Sequence, residues 1–94
     1  MRVTADDGVR RTCPSLDCGV IGSSFRGESV IVYETVEGWS RISGYYSAAC
    51  NDGRSSFVDA GQNACTPQNG ISDGEFAEWM RSDSLVPELA DRAG

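Results

Sequence analysis

Along roughly the first sixty residues, apolar and polar positions come in short runs separated by Gly, Asn and Asp. That is the pattern of short strands joined by turns. The clearest run is Ser29-Val-Ile-Val-Tyr-Glu-Thr-Val36, rich in β-branched and aromatic side chains. Glu37-Gly38 follows as a tight turn, and Trp39-Ser-Arg-Ile-Ser43 reads as the return strand of a hairpin. Residues 19–25 predict another strand, closed by Arg26-Gly27-Glu28. Asn51-Asp52-Gly53 marks a turn before Arg54-Ser-Ser-Phe-Val58. Several short strands at this spacing predict a small barrel or sandwich.

After Pro67 the pattern changes. Ser72-Asp-Gly-Glu75 matches a capping box, with Ile71 and Phe76 placed as a hydrophobic staple. Phe76, Trp79 and Met80 then fall at i, i+3 and i+4, so a helix would carry them on one face. Leu85 and Leu89 around Pro87 predict a second, shorter helical piece. The chain therefore divides into a β-barrel over 1–66 and a helical C-terminal extension over 67–94. The apolar stripe of that extension either covers its own domain or serves as an amphipathic helix for a partner.

Ninety-four residues suit one domain, at a size where burial on folding is marginal, and the four cysteines bear on that margin. Cys13, Cys18, Cys50 and Cys65 are an even set in a small chain, the usual sign of a disulfide framework. A zinc site needs two tight knuckles; Cys50 and Cys65 lie too far apart to form the second, and there is no His to replace them. A redox pair needs Cys-x-x-Cys at a helix start, which is missing. No metal and no cofactor is expected. Proximity favours 13–18 and 50–65, loops that would contribute about 2 and about 3 kcal/mol in the loop-entropy account. Such bridges point to an oxidising compartment, periplasmic or secreted. MRVTADDGVRR has no apolar signal core, so the expectation is a signal peptide missing from this chain.

The net charge is −6, with eight Arg, no Lys and no His. An acidic chain repels phosphate backbones and anionic membrane surfaces, so nucleic acid is a poor partner. No apolar run reaches the roughly 18 residues of a membrane span. Without His or Lys the commonest general base and the Schiff-base former are missing, so no enzyme activity is expected. Asp6-Asp7-Gly8 and Asn51-Asp52-Gly53 read as turns, since neither continues into a calcium loop.

From about Val3 to Val58 the chain resembles a bacterial SH3 domain. Val9-Arg10-Arg11-Thr12-Cys13-Pro14-Ser15 is similar to the family's opening turn, with Cys in place of Gly and one residue extra. Val20-Ile21-Gly22, Arg26-Gly27-Glu28 and Val30–Tyr33 follow in the family's order, and Gly38-Trp39-Ser40-Arg41-Ile42 keeps its signature. Ser56-Phe57-Val58 stands where Gly-Trp-Val would close the domain. The Gly44–Cys50 insertion and the residues after Cys65 lie outside the pattern. The resemblance implies a small, disulfide-stapled SH3-like barrel of antiparallel strands acting as a noncatalytic cell-envelope module. Its partner would be a cell-wall (peptidoglycan) fragment, a peptide or a protein.

Strand alternation puts Ser40 and Ile42 on one side and Trp39 and Arg41 on the other. If Ile42 faces the core, Trp39 faces outward, where related domains place a groove-lining Trp. The candidate ligand site is then Trp39, Arg41, Tyr45 and Tyr46, an aromatic platform. Trp39 could instead be covered by the C-terminal helix or the inserted loop. The other functional class is an inhibitor or interaction subunit engaging an envelope partner through the amphipathic helix.

Overall fold

The structure is a computed structural model in which residues 1–4 and 8–86 are described. The Asp6-Asp7 turn and the helical piece expected around Pro87 and Leu89 lie outside the described residues. Eleven short strands appear among the rest. They are β1 (Arg2–Val3), β2 (Gly8–Arg11), β3 (Val20–Ser24), β4 (Glu34–Val36), β5 (Trp39–Arg41) and β6 (Tyr46–Ser47), and then β7 (Cys50–Asn51), β8 (Arg54–Ser55), β9 (Glu75–Phe76), β10 (Trp79–Arg81) and β11 (Leu85–Val86). Single 3-10 turns occupy Pro67–Asn69 and Ser82–Ser84. The domain is mainly β, as the alternation predicts.

All pairings are antiparallel, and five strands form one sheet in the order β3-β2-β10-β5-β4. Among the described residues β3 and β4 are its two edges and do not pair with each other, so the sheet is open, not the closed barrel of the SH3-like expectation. Three two-stranded ladders, β1-β11, β6-β9 and β7-β8, flank it.

Local turn chemistry explains three of these connections. Glu37-Gly38, Asp52-Gly53 and Asp73-Gly74 each place two successive residues at positive φ: 46° and 87°, 55° and 76°, 54° and 73°. That is the signature of the two-residue hairpin turn whose twist matches its strands, and Gly at the second position adopts it without strain. The first two turns are those expected from the sequence.

The third overturns the helix expected from Ser72. Ser72 and Glu75 do satisfy one another, but through the main chain: Ser72 N–H donates to Glu75 O at 3.0 Å and Glu75 N–H to Ser72 O at 2.9 Å. Residues 75–76 and 79–81 continue as β9 and β10. The physical reason is tertiary. β10 enters between β2 and β5 and finds a ladder on both sides, Trp79 opposite Arg11 and opposite Arg41, Met80 opposite Ser40. A helix here would leave the facing edges of β2 and β5 without partners.

The change of period also redistributes the apolar stripe. Phe76 joins Ala48 and Ile71 in one buried cluster, against which Ile21, Tyr46 and Cys65 pack. Met80 joins Val3 and Leu85 in a second, against Met1, Val30, Val32 and Ile42. Trp79, one residue from Met80, projects from the other face of the sheet.

Both disulfides form as the spacing favoured, Cys13–Cys18 and Cys50–Cys65, with Cα separations of 5.7 and 6.3 Å. All four thiols are thereby consumed. The first loop is anchored from beneath by the buried Asn69. Its Oδ1 accepts from Gly19 N–H at 2.9 Å, its Nδ2 donates to Gln62 O at 2.9 Å and Ala64 O at 3.0 Å, and its main-chain O accepts from Thr12 Oγ1 at 2.6 Å. Both donors of the amide are used. Gly70, at φ 77°, closes this junction, because a Cβ there would lie 2.3 Å from Thr12 O.

Two substitutions test this architecture by urea denaturation. Gly74→Ala should destabilise by about 1–2 kcal/mol, the cost of a side chain at positive φ; a helix would instead gain about 1 kcal/mol. Asn69→Asp, which keeps the shape but turns a carboxylate oxygen toward two carbonyls, should cost about 3 kcal/mol at neutral pH.

Candidate functional site: an aromatic–arginine surface

The site begins with the β4–β5 hairpin. Its two-residue turn sets Val36 opposite Trp39 and Glu34 opposite Arg41. Ile42 packs toward the Val3–Met80–Leu85 cluster, so Trp39 and Arg41 share the other face. On that face the register with β10 places Arg81 opposite Trp39 and Trp79 opposite Arg41.

Trp39 does not line a groove. It is only 7% exposed, and the Arg81 guanidinium carbon lies 5.5 Å from its ring centroid. An arginine from β10 lies over its ring. Trp79 is as buried, at 5%.

Arg41 is the centre of the arrangement, its side chain only 16% exposed. Its Nε donates to Glu34 Oε1 at 2.8 Å and its Nη1 to Ser43 O at 2.8 Å. Its guanidinium carbon is 5.1 Å from the ring of Tyr33 and 5.1 Å from that of Tyr45. Carboxylate and carbonyl fix the plane while the two π-faces hold it by cation–π attraction. Tyr33 and Tyr45 remain 53% and 57% exposed, with Ile31 and Val36 exposed nearby in the chain.

Tyr46 turns away from Tyr45, as neighbours in extended chain do. It stacks edge-on against Phe76 at 4.9 Å and Phe57 at 5.8 Å. Its hydroxyl donates to Glu78 Oε2 at 2.8 Å, while Glu78 Oε1 pairs with Arg10. Burial first, then the hydrogen bond and charge of Glu78, push the Tyr46 phenol well above its ordinary range, with Arg10 opposing.

Of the four residues expected in the platform, the structure brings together two, a largely buried Arg41 and an exposed Tyr45. It adds Tyr33, buries Trp39 beneath Arg81, and directs Tyr46 into the second cluster. Tyr33 was not legible: the register from the Glu37-Gly38 turn sets Glu34 opposite Arg41, and strict alternation would send Tyr33, just outside β4, to the other face. Among the described residues no group of three His, Cys, Asp or Glu side chains gathers to hold a metal ion, and no helix is long and apolar enough to cross a membrane.

Fold and surface thus define a class: a small, mainly β, disulfide-stapled domain that presents an aromatic–arginine surface. Comparison with protein-family models, with curated proteins and with solved structures finds no match to the chain.

The Tyr46 environment sets a pH dependence. The phenol is held neutral in the fold while the unfolded chain ionises near 10.0. Its stabilisation is therefore complete below pH 10 and is lost as pH rises above it. Tyr46→Phe should cost about 1 kcal/mol at pH 7 and flatten the fall in urea midpoint above pH 10.

Proposed function

We propose that the chain is a noncatalytic binding module that takes a cell-wall fragment or an exposed peptide at the Tyr33–Arg41–Tyr45 surface. The observation that carries this reading is the Arg41 guanidinium clamped between two half-exposed tyrosine rings. Exposed aromatic faces suit sugar C–H surfaces and peptide side chains, and a fixed guanidinium orients a carboxylate or carbonyl. The ordered motifs from Val9 to Ile42 support kinship with bacterial SH3 domains, and the two disulfides are compatible with a periplasmic or secreted setting. The missing His and Lys favour binding over chemistry. The apolar stripe expected on a helix is carried instead by β9 and β10, Phe76 on the first and Trp79 and Met80 on the second, which favours this reading over an inhibitor acting through that stripe.

A 15N-NMR titration of the oxidised protein with soluble peptidoglycan fragments tests the proposal. Shifts should centre on the Arg41 Nε–H and the Ser43–Tyr45 amides, and Tyr45→Ala should weaken binding about tenfold. No shift at these groups at millimolar ligand would remove the proposal.

A further inference from the structure

The chain has three asparagines, Asn51, Asn63 and Asn69, and only the last is followed by glycine. In a free chain that pair is chemically unstable. Glycine has no side chain to hinder the approach of its own main-chain nitrogen to the preceding side-chain carbonyl carbon, and its backbone readily takes up the angles required. Asn51 and Asn63 precede Asp52 and Ala64, whose side chains restrict the same approach.

The fold holds the reactive pair apart. Asn69 is 1% exposed, whereas Asn51 and Asn63 are exposed. Gly19 N–H holds its Oδ1, and the carbonyls of Gln62 and Ala64 hold its Nδ2. The Gly70 nitrogen is engaged as well, donating to Pro67 O at 3.0 Å. Nor has Gly70 room to swing: a Cβ on it would meet Thr12 O at 2.3 Å and Cys13 Cβ at 2.5 Å. Apart from the Pro67 contact these restraints are tertiary. They come from the 12–19 and 62–64 loops, and Gly19 and Ala64 each adjoin a bridged cysteine, Cys18 and Cys65.

We infer that Asn69–Gly70 is a self-modification site, a deamidation site that the oxidised fold keeps closed and unfolding opens, and that the modified chain does not return to the fold. Once the junction opens, Gly70 N bonds to Asn69 Cγ and the Cγ–Nδ2 bond breaks. Nδ2 leaves as ammonia, taking the Gly70 proton. The resulting five-membered imide takes up one water molecule at either of its carbonyls, and the ring C–N bond there opens. An aspartyl or isoaspartyl residue is left at position 69. Both products lack the two donors that Gln62 O and Ala64 O require, and the aspartyl form turns a carboxylate toward them. The isoaspartyl form also adds a methylene to the main chain, beside a Gly70 already in close contact. Loss of the fold thereby becomes irreversible. This holds whatever the Tyr33–Arg41–Tyr45 surface binds.

The test follows deamidation by peptide mass spectrometry in two samples of the full chain at the same mildly alkaline pH. One is oxidised and native; the other is reduced and unfolded in guanidinium chloride. In the unfolded sample Asn69 should react before Asn51 and Asn63, and Gly70→Ala, read in that sample alone, should slow it about tenfold. In the native sample Asn69 should react at least about fiftyfold more slowly than in the unfolded one, because reaction waits on opening of buried structure. After partial reaction the unfolded sample is refolded and reoxidised. The folded fraction should retain Asn69, with both products confined to the misfolded fraction. Equal rates at Asn69 in the two samples, faster reaction of Asn51 or Asn63 on unfolding, or modified chains entering the folded fraction in proportion to their abundance would overturn the inference.

Discussion

β10 is hydrogen-bonded along both edges, to β2 at Arg11 and to β5 from Arg41 through Trp39, and the other features of the domain follow from that double pairing. With β10 in place, Met80 projects into one apolar cluster and Trp79 from the opposite face of the sheet, while Phe76, just upstream, reaches the other cluster. The link between β9 and β10 carries Glu78, whose carbonyl accepts from Ile42 N–H at 2.9 Å and whose N–H donates to Ser43 Oγ at 2.9 Å. Its carboxylate joins Arg10 and Tyr46. One seven-residue stretch thus ties the sheet, both clusters and the inner polar contacts together.

Neither cluster is large. Three fully buried apolar residues apiece is little for a chain whose conformational entropy must be overcome residue by residue. Covalent and polar anchors compensate. Cys50–Cys65 clips the β7–β8 hairpin to the loop that packs on the Phe76 cluster, and Cys13–Cys18 closes the turn after β2. Asn69, itself buried, joins that turn to the 62–64 loop through both donors and the oxygen of its amide, an arrangement that is costly to disturb because it would leave a buried amide unpaired.

The same economy of contacts shapes the aromatic–arginine surface. Two arginines serve as planar, stacking groups: Arg41 between Tyr33 and Tyr45, Arg81 over Trp39. The aromatic residues are shared between cover and display. Trp39, Trp79 and Phe76 are buried, whereas Tyr33 and Tyr45 keep one face for solvent or ligand. Recognition by such a surface would depend on rigid groups already in position, which limits the ordering cost of binding.

The sequence by itself determined whatever short-range chemistry decides. Alternation and β-branched runs specified strands before residue 60, Glu37-Gly38 and Asn51-Asp52-Gly53 specified hairpin turns, and cysteine spacing specified both bridges. Alternation also separated Trp39 and Arg41 from Ile42, and it could have separated Tyr45 from Tyr46. The tertiary structure alone decided the rest. Ser72-Asp-Gly-Glu75 carries a helix-start pattern and a hairpin-turn pattern on the same four residues, and nothing local ranks them. The choice came from the vacant ladder between β2 and β5, some forty to seventy residues distant in the chain. Trp39 shows the same limit. Its side of the strand was legible, but its exposure was not, because the arginine that covers it arrives on that distant strand.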